Sequence, residues 1–382
     1  MKRYNLAIII NTLTILILIT SSSSSIAKVH EKESVGGEPL QDVLVVNQSD
    51  WLIIPHLYYK PETKTAGGVV FLTYFQDVIM SIPPIKLRPS TFALTLTYTQ
   101  KKQFIFQLFP EFYFYRNKYH LKNEFQYLNY PDKFYGIGPD TTQKDMEQYT
   151  SRIFSFKNII ERSLFPDFYI GLIYHFDKRE NTKAQPGGLI ANRSVLGAKD
   201  GLVSGVGFTV NYDSRDNIMY TLDGVYANLS IIQYSRYLKS DFNFTNIIFD
   251  YRFYEPFWFS HVLALQIYAG YIYGDAPFYL LSQMGGAKIM RGLYEGRYRD
   301  NNIIVTQAEY RIPLFWRFIL CGFVGMGEVA PSLREFDRKH IVYAYGGGLR
   351  YKLKQEQNLN MRLDIGFSKN FTGIYVTIGE AI

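Results

Sequence analysis

The sequence contains a single cysteine, Cys321, among 382 residues. A disulfide within one chain needs two cysteines, so no such crosslink can stabilise this protein. After its N-terminal segment the chain also lacks any apolar run of the ~20 residues that a membrane-spanning helix requires. Stability must therefore come from the fold itself, and a membrane crossing by the mature chain would have to use strands.

Patterns that mark common catalytic and metal sites are also missing. The six histidines lack the spacing of helical metal sites, and the chain contains no P-loop and no Gly-x-Ser-x-Gly elbow. The net charge is +7, or 39 − 34 = +5 without Lys2 and Arg3, which is too small an excess to indicate nucleic-acid binding. We expect no enzymatic activity, no cofactor, no metal and no nucleic-acid partner. A Ser-His pair assembled only by the fold is the alternative that the sequence leaves open.

The first 27 residues have the composition of an export signal. Lys2 and Arg3 form a basic start, residues 6–19 form an apolar segment, and Ser25-Ile26-Ala27 places small residues where a signal peptidase cleaves. The apolar segment is shorter than a spanning helix, so a retained anchor is the weaker interpretation. We therefore predict a signal peptide at 1–27, a flexible lead-in at 28–49 and one β domain at 50–382.

Aromatic residues are abundant, with 61 tyrosines and phenylalanines together against three tryptophans. Between Asn358 and Ser368 polar side chains share one face of a predicted strand and apolar side chains share the other, and residues 118–127 repeat the pattern. Because unpaired polar groups are costly to bury, we predict that the polar face is wet and that the aromatic face meets lipid.

Sixteen strands of this kind are predicted between residues 51 and 380. The two longest generic loops, 129–148 and 177–201, follow the fifth and seventh strands, so both would lie on the outer side of an antiparallel barrel. The connection 77–90 is the exception, because it is long for an inner turn. The predicted fold is all-β: a transmembrane antiparallel β-barrel of about sixteen strands.

One connection, residues 285–302, is unlike the others. It contains four glycines and four cations, more than a tight hairpin needs. It follows the eleventh predicted strand, which makes it the sixth outer loop. We call this segment the internal loop, because we expect it to fold inward.

Several motifs resemble the surface-antigen barrel of the outer-membrane assembly-factor superfamily, the group of BamA and TamA. Met290-Arg291-Gly292-Leu293 is similar to the family signature in the sixth outer loop, with Leu293 in place of an aromatic residue. Further similar segments are Glu309-Tyr310-Arg311-Ile312-Pro313 and residues 58–63, 134–138, 212–217 and 373–380. The resemblance covers nearly all of the chain after the export signal, although the periplasmic repeat domains of the family are not expected here.

The resemblance implies a bacterial outer-membrane barrel with an inward-folded sixth outer loop, taking part in the insertion or translocation of protein or lipid. Outer-membrane lipids and a separate periplasmic protein are the implied partners, and the lead-in would be periplasmic. The loop would be locked at Arg291 and Gly292 by an acidic residue, for which inward-facing Glu309 is suited. The family usually places a second acid at the position of Gly325, so we predict Glu309 as the only clear anchor.

The predicted first and last strands contain residues that weaken the backbone hydrogen bonding between neighbouring strands. Pro55 removes one backbone donor from the first strand, and Gly373 and Gly379 lie in the last. We predict that the barrel seam between these strands is its weakest line, where the family resemblance places the handling of substrate. Two other functions stay open, namely a passive or gated pore and a surface-exposed antigen or binding scaffold.

Overall fold

The structure is a computed structural model that describes residues 20–28, 45–60, 64–79, 85–354 and 358–382. The predicted signal peptide up to residue 19, residues 29–44 of the lead-in and residues 61–63 of the segment 58–63 lie outside these ranges. Within them, no helix is long and apolar enough to cross a membrane. The chain divides into two compact units. The first comprises Met1–Asp132, Thr150–Arg162 and His175–Thr182, and the second comprises Lys133–Tyr149, Ser163–Tyr174 and Lys183–Ile382.

The first unit is built from long antiparallel strands that pair in chain order. Its strands are β1 (Thr20–Lys28), β2 (Val45–Lys60), β3 (Lys64–Ile79), β4 (Ile85–Lys86), β5 (Ser90–Thr99), β6 (Phe104–Phe114) and β7 (Tyr119–Phe134). Strand β1 pairs with β2, and β4 pairs with the end of β3 inside the long connection 77–90. Strands β8 (Glu147–Phe165) and β9 (Phe168–Ala184) contribute to both units.

The second unit continues the same antiparallel pattern. Its strands are β10 (Asp200–Asp213), β11 (Gly224–Tyr234), β12 (Phe244–Pro256), β13 (Val262–Gly274), β14 (Ser282–Met284), β15 (Tyr298–Asp300), β16 (Asn302–Pro313), β17 (Phe318–Ala330), β18 (Val342–Lys354), β19 (Leu359–Ser368) and β20 (Phe371–Ile378). Strand β13 pairs directly with β16, while β14 and β15 form a small separate hairpin between them. Every one of the sixteen predicted strands is present, which confirms the predicted fold class.

The two sides of the strands differ as expected for a sheet that faces lipid. On β19, Leu363 is 40% exposed whereas Arg362 is 2% and Asp364 is 0% exposed. A soluble protein would bury the leucine and expose the charges. The prediction that the polar face is wet is nevertheless wrong for this strand, because the internal loop and paired charges cover Arg362 and Asp364.

The two long generic loops are shorter than predicted. Strand β7 continues to Phe134 and β9 to Ala184, so the connections span 135–146 and 185–199. The backbone N–H of Gln185 still donates to the carbonyl of Gln148 at 3.0 Å beyond these strand ends. Hydrogen bonding between neighbouring strands thus overrides the local turn-forming composition.

Candidate functional site at the internal loop

The internal loop has a fixed backbone of its own. Gly285, Gly286 and Gly292 adopt φ of 123°, 92° and 103°, values that favour glycine because it has no Cβ. The N–H of Gly285 donates to the carbonyl of Ile289 at 2.8 Å, and the β14–β15 hairpin closes the base of the loop. The glycines noted in the sequence therefore shape the loop instead of loosening it.

Arg291 projects from this backbone onto the polar face of the sheet and is 1% exposed. Its Nη2 lies 2.5 Å from Oε2 of Glu309 in an ion pair, and its Nη1 donates to Oδ2 of Asp364 at 2.6 Å. The guanidinium carbon lies 3.7 Å from the ring centroid of Phe323. Burial disfavours the charged form, but the two carboxylates outweigh burial and raise the pKa of Arg291.

The prediction that Glu309 is the only clear anchor is wrong, because Asp364 on β19 supplies a second carboxylate. Gly325, the position where the resemblance implied a second acid, lies beside the internal loop instead. A Cβ on Gly325 would lie 3.0 Å from the sulfur of Met290, so a larger residue would require the methionine side chain to shift. The second acid that pairs with Arg291 therefore comes from β19 and not from the position of Gly325 on β17.

Arg291 belongs to a buried network of four arginines and three carboxylates. Glu309 Oε1 accepts from Nε of Arg311 at 2.8 Å, and its Oε2 lies 3.3 Å from Nη2 of Arg350. Arg350 also pairs with Asp364 and, at 3.1 Å, with Glu380. Since a buried charge is tolerated only with a partner, each group here fixes the position of its neighbours. The members are Arg291, Arg311, Arg350, Arg362, Glu309, Asp364 and Glu380.

The loop backbone is also held by neutral side chains from two strands, β16 and β20. Gln307 accepts from the N–H of Met290 at 3.0 Å and donates to the carbonyl of Lys288 at 2.9 Å. The hydroxyl of Tyr375 on β20 accepts from the N–H of Gly292 and donates to the carbonyl of Leu293, both at 3.0 Å. These bonds replace the ladder bonds that a loop cannot make.

The sheet beneath the loop is lined with glycine, which permits close contact between backbones. A Cβ on Gly366 would lie 2.6 Å from the nitrogen of Gly292, and a Cβ on Gly292 would lie 2.8 Å from the carbonyl oxygen of Phe367. Neither distance is possible for real atoms. Glycine is therefore required on both the loop and the strand.

We predict that Gly366→Val displaces the loop without unfolding the barrel, because the added side chain collides with the backbone of Gly292. Amides 290–293 should exchange with deuterium about tenfold faster or more, the change expected when local opening becomes easier by about 1.4 kcal/mol. Gly322→Val is the matched control, since no atom lies within 4 Å of a Cβ at that position. Equal exchange in the two variants would contradict this geometry.

Two further arginines fix the outer part of the internal loop. The guanidinium of Arg299 lies 5.1 Å from the ring centroid of Phe134 and 5.8 Å from that of Phe278. Arg297 lies 4.7 Å from the ring centroid of Tyr135. Such cation–π contacts tie the loop to the connection after β7. The sequence offered no specific signal for either arginine.

The predicted seam residues occupy different environments. Pro55 lies within β2, opposite Val69 of β3. Gly379 adopts φ of 82° just after β20. The space beside Gly373 is occupied, because a Cβ there would lie 2.3 Å from the hydroxyl oxygen of Tyr375. Glycine at 373 thus makes room for a side chain that contacts the loop.

Comparison with known proteins agrees with this architecture. A family model described as the Omp85 superfamily domain matches residues 88–379. The chain is similar to the structure of BamA from Haemophilus ducreyi lacking POTRA domains 1-3, with 14% identity and a TM-score of 0.55, over 92% of this chain and 74% of that chain. It is also similar to CdiB from Acinetobacter baumannii, with 10% identity and a TM-score of 0.49, over 93% of this chain and 64% of that chain. No curated protein sequence matches it.

The family match covers well over half of the chain. The likeness to BamA independently supports the barrel fold, and the strands carry the apolar outer face that such a barrel needs. The internal loop lies in the matched region together with both carboxylates that hold Arg291. This chain belongs to the Omp85 superfamily and is a bacterial outer-membrane β-barrel of the assembly and translocation type.

Proposed function

We propose that this barrel inserts or translocates a protein or lipid at the outer membrane through the seam between β2 and β20, while the internal loop closes the lumen. The observation that carries the proposal is the double ion pair of Arg291 with Glu309 and Asp364. Moving a loop fixed by buried charge pairs is costly. Because the lumen is then not an open path, the wall of the barrel becomes the route for cargo.

The edge of β2 that faces away from β3 supports this route. Strand β1 pairs with it in antiparallel register, from Thr20 opposite Ile53 to Lys28 opposite Val45. An edge that pairs with this segment has the geometry to accept an added strand by β-augmentation. Pro55 lies just beyond the paired stretch. If export removes residues 1–27, as the sequence predicts, most of the segment on this edge leaves with them.

We further propose a separate periplasmic protein as the partner, docking on the short turns at the inner end of the barrel. Two of these turns expose large aromatic side chains, with Trp258 85% and Trp316 71% exposed. Tryptophan is enriched at protein interfaces and at membrane interfaces, because it combines a large apolar ring with a polar N–H. Outer-membrane lipids would contact the apolar outer face of the strands.

A disulfide across the seam tests the route. In a Cys321→Ser background, a cysteine pair that joins β2 to β20 should abolish insertion of a β-barrel substrate into proteoliposomes, and reduction should restore it. The barrel itself should stay folded, as judged by heat-modifiable migration. Full activity with the seam crosslinked would rule out the seam as the route.

The control for this experiment is a crosslink inside the wall. Phe249 of β12 and Ala269 of β13 lie opposite one another, so cysteines at these positions join two strands that have no need to separate. Activity should survive this second crosslink. Its loss would mean that any rigid crosslink blocks the barrel.

A further inference from the structure

Tyr375 joins the last strand to the internal loop at the point where Arg291 is anchored. Tyr375 lies on β20 directly opposite Asp364 of β19, the second anchor of Arg291. Its hydroxyl contacts two consecutive loop residues, accepting from the N–H of Gly292 and donating to the carbonyl of Leu293. One side chain therefore pairs with a backbone donor and a backbone acceptor of the loop that make no β-sheet hydrogen bonds.

The surroundings of Tyr375 are shaped for this contact. Gly373 on the same strand leaves space for the ring, since a Cβ there would lie 2.3 Å from the hydroxyl oxygen. Gly373 also lies opposite Gly366 of β19, the glycine that contacts the loop backbone. The two glycines form a depression, and the tyrosine ring and the loop fill it together.

The loop links β20 to a strand that is not its neighbour. The internal loop is also bound by Glu309 and Gln307, both on β16, in addition to Asp364 on β19. Strand β20 pairs with β19, and Tyr375 adds a second connection that runs through the loop to β16. For β20 to move away from β19, it must therefore break the ladder bonds and also lose its hold on the loop.

We propose that Tyr375 is a positioning residue that latches β20 to the internal loop, so that the last strand moves only when the loop retracts. The use of such a latch in handling cargo rests on the seam route proposed above. The latch itself is a property of the barrel, and it can be measured without knowledge of the cargo.

Hydrogen–deuterium exchange on the lipid-embedded barrel tests the latch. Tyr375→Phe keeps the ring and removes the hydroxyl, so amides in 290–294 and in β20 should both exchange about tenfold faster, the effect expected from losing two hydrogen bonds. Tyr345→Phe is the matched control, because Tyr345 is 61% exposed on β18. Gly373→Ala should reproduce the result by pushing the ring aside while keeping the hydroxyl.

A double variant separates a latch from a purely structural role. In an Arg291→Met background the loop is already released, so adding Tyr375→Phe should change the exchange of β20 by less than about twofold. A full additional tenfold increase would show that Tyr375 stabilises β20 without the loop, and the latch would be refuted. Unchanged exchange in the single variant would refute it as well. Neither outcome bears on whether cargo uses the seam.

Discussion

Arg291→Met should release the internal loop from the lumen wall. The arginine is fully buried and pairs with two carboxylates, whereas methionine keeps an unbranched stem but has no charge. Breaking a buried ion pair by removing one partner typically costs about 3–5 kcal/mol. We expect loss of exchange protection across 285–296 and a lower temperature of heat-modifiable unfolding. Arg152→Met is the matched control, because Arg152 forms an exposed ion pair with Glu180, and such pairs contribute little.

The two carboxylates should share this effect. Glu309→Gln leaves Asp364 2.6 Å from Arg291, so the loop should stay partly held, and Asp364→Asn should behave similarly. The double substitution should approach Arg291→Met. If Glu309→Gln alone released the loop completely, the second anchor would have no function. Unaltered protection of the loop in Arg291→Met would contradict the ion-pair lock altogether.

Deletion of residues 290–300 should convert a nearly silent barrel into a conducting one. The deletion removes Arg291, both outer arginines and the β15 half of the closing hairpin, so the remainder of the loop loses its ion-pair lock on the wall. In planar lipid bilayers, the wild-type protein should pass little current and the deletion variant should pass a large steady current. Deleting the exposed turn Arg236–Leu238 serves as the control and should leave conductance low. A large steady current through the wild-type protein would instead favour a passive pore.

The strands were predictable because their alternation is strong. On β19, charged and apolar residues alternate without exception from Arg362 to Ile365, and a period of two residues has few structural explanations. The short strands β4, β14 and β15 were not predictable, because two or three residues are too few to show an alternation of polar and apolar side chains. The start of β2 at Val45 was also missed, since Asn47-Gln48-Ser49 reads as a loop until a partner strand is present.

The sequence predicted only those residues of the candidate site that lie in a recognisable motif or on the inward face of a strongly alternating strand. Arg291 stood out in a glycine-rich loop, and Glu309 lies on the inward face of the next long strand. Asp364 was missed because the second acid was sought at Gly325, and only the pairing of β17, β18 and β19 brings Asp364 to the arginine. Tyr375 gave no signal, because one tyrosine among 32 carries no pattern by itself.

The most direct measurement is residue-resolved hydrogen exchange on the wild-type barrel in lipid. We predict that the amides of Met290 and Gly292, which donate to Gln307 and Tyr375, exchange as slowly as amides in the middle of β16. Exchange of these two amides at the rate of the exposed turn 331–337 would contradict a loop locked onto the barrel wall.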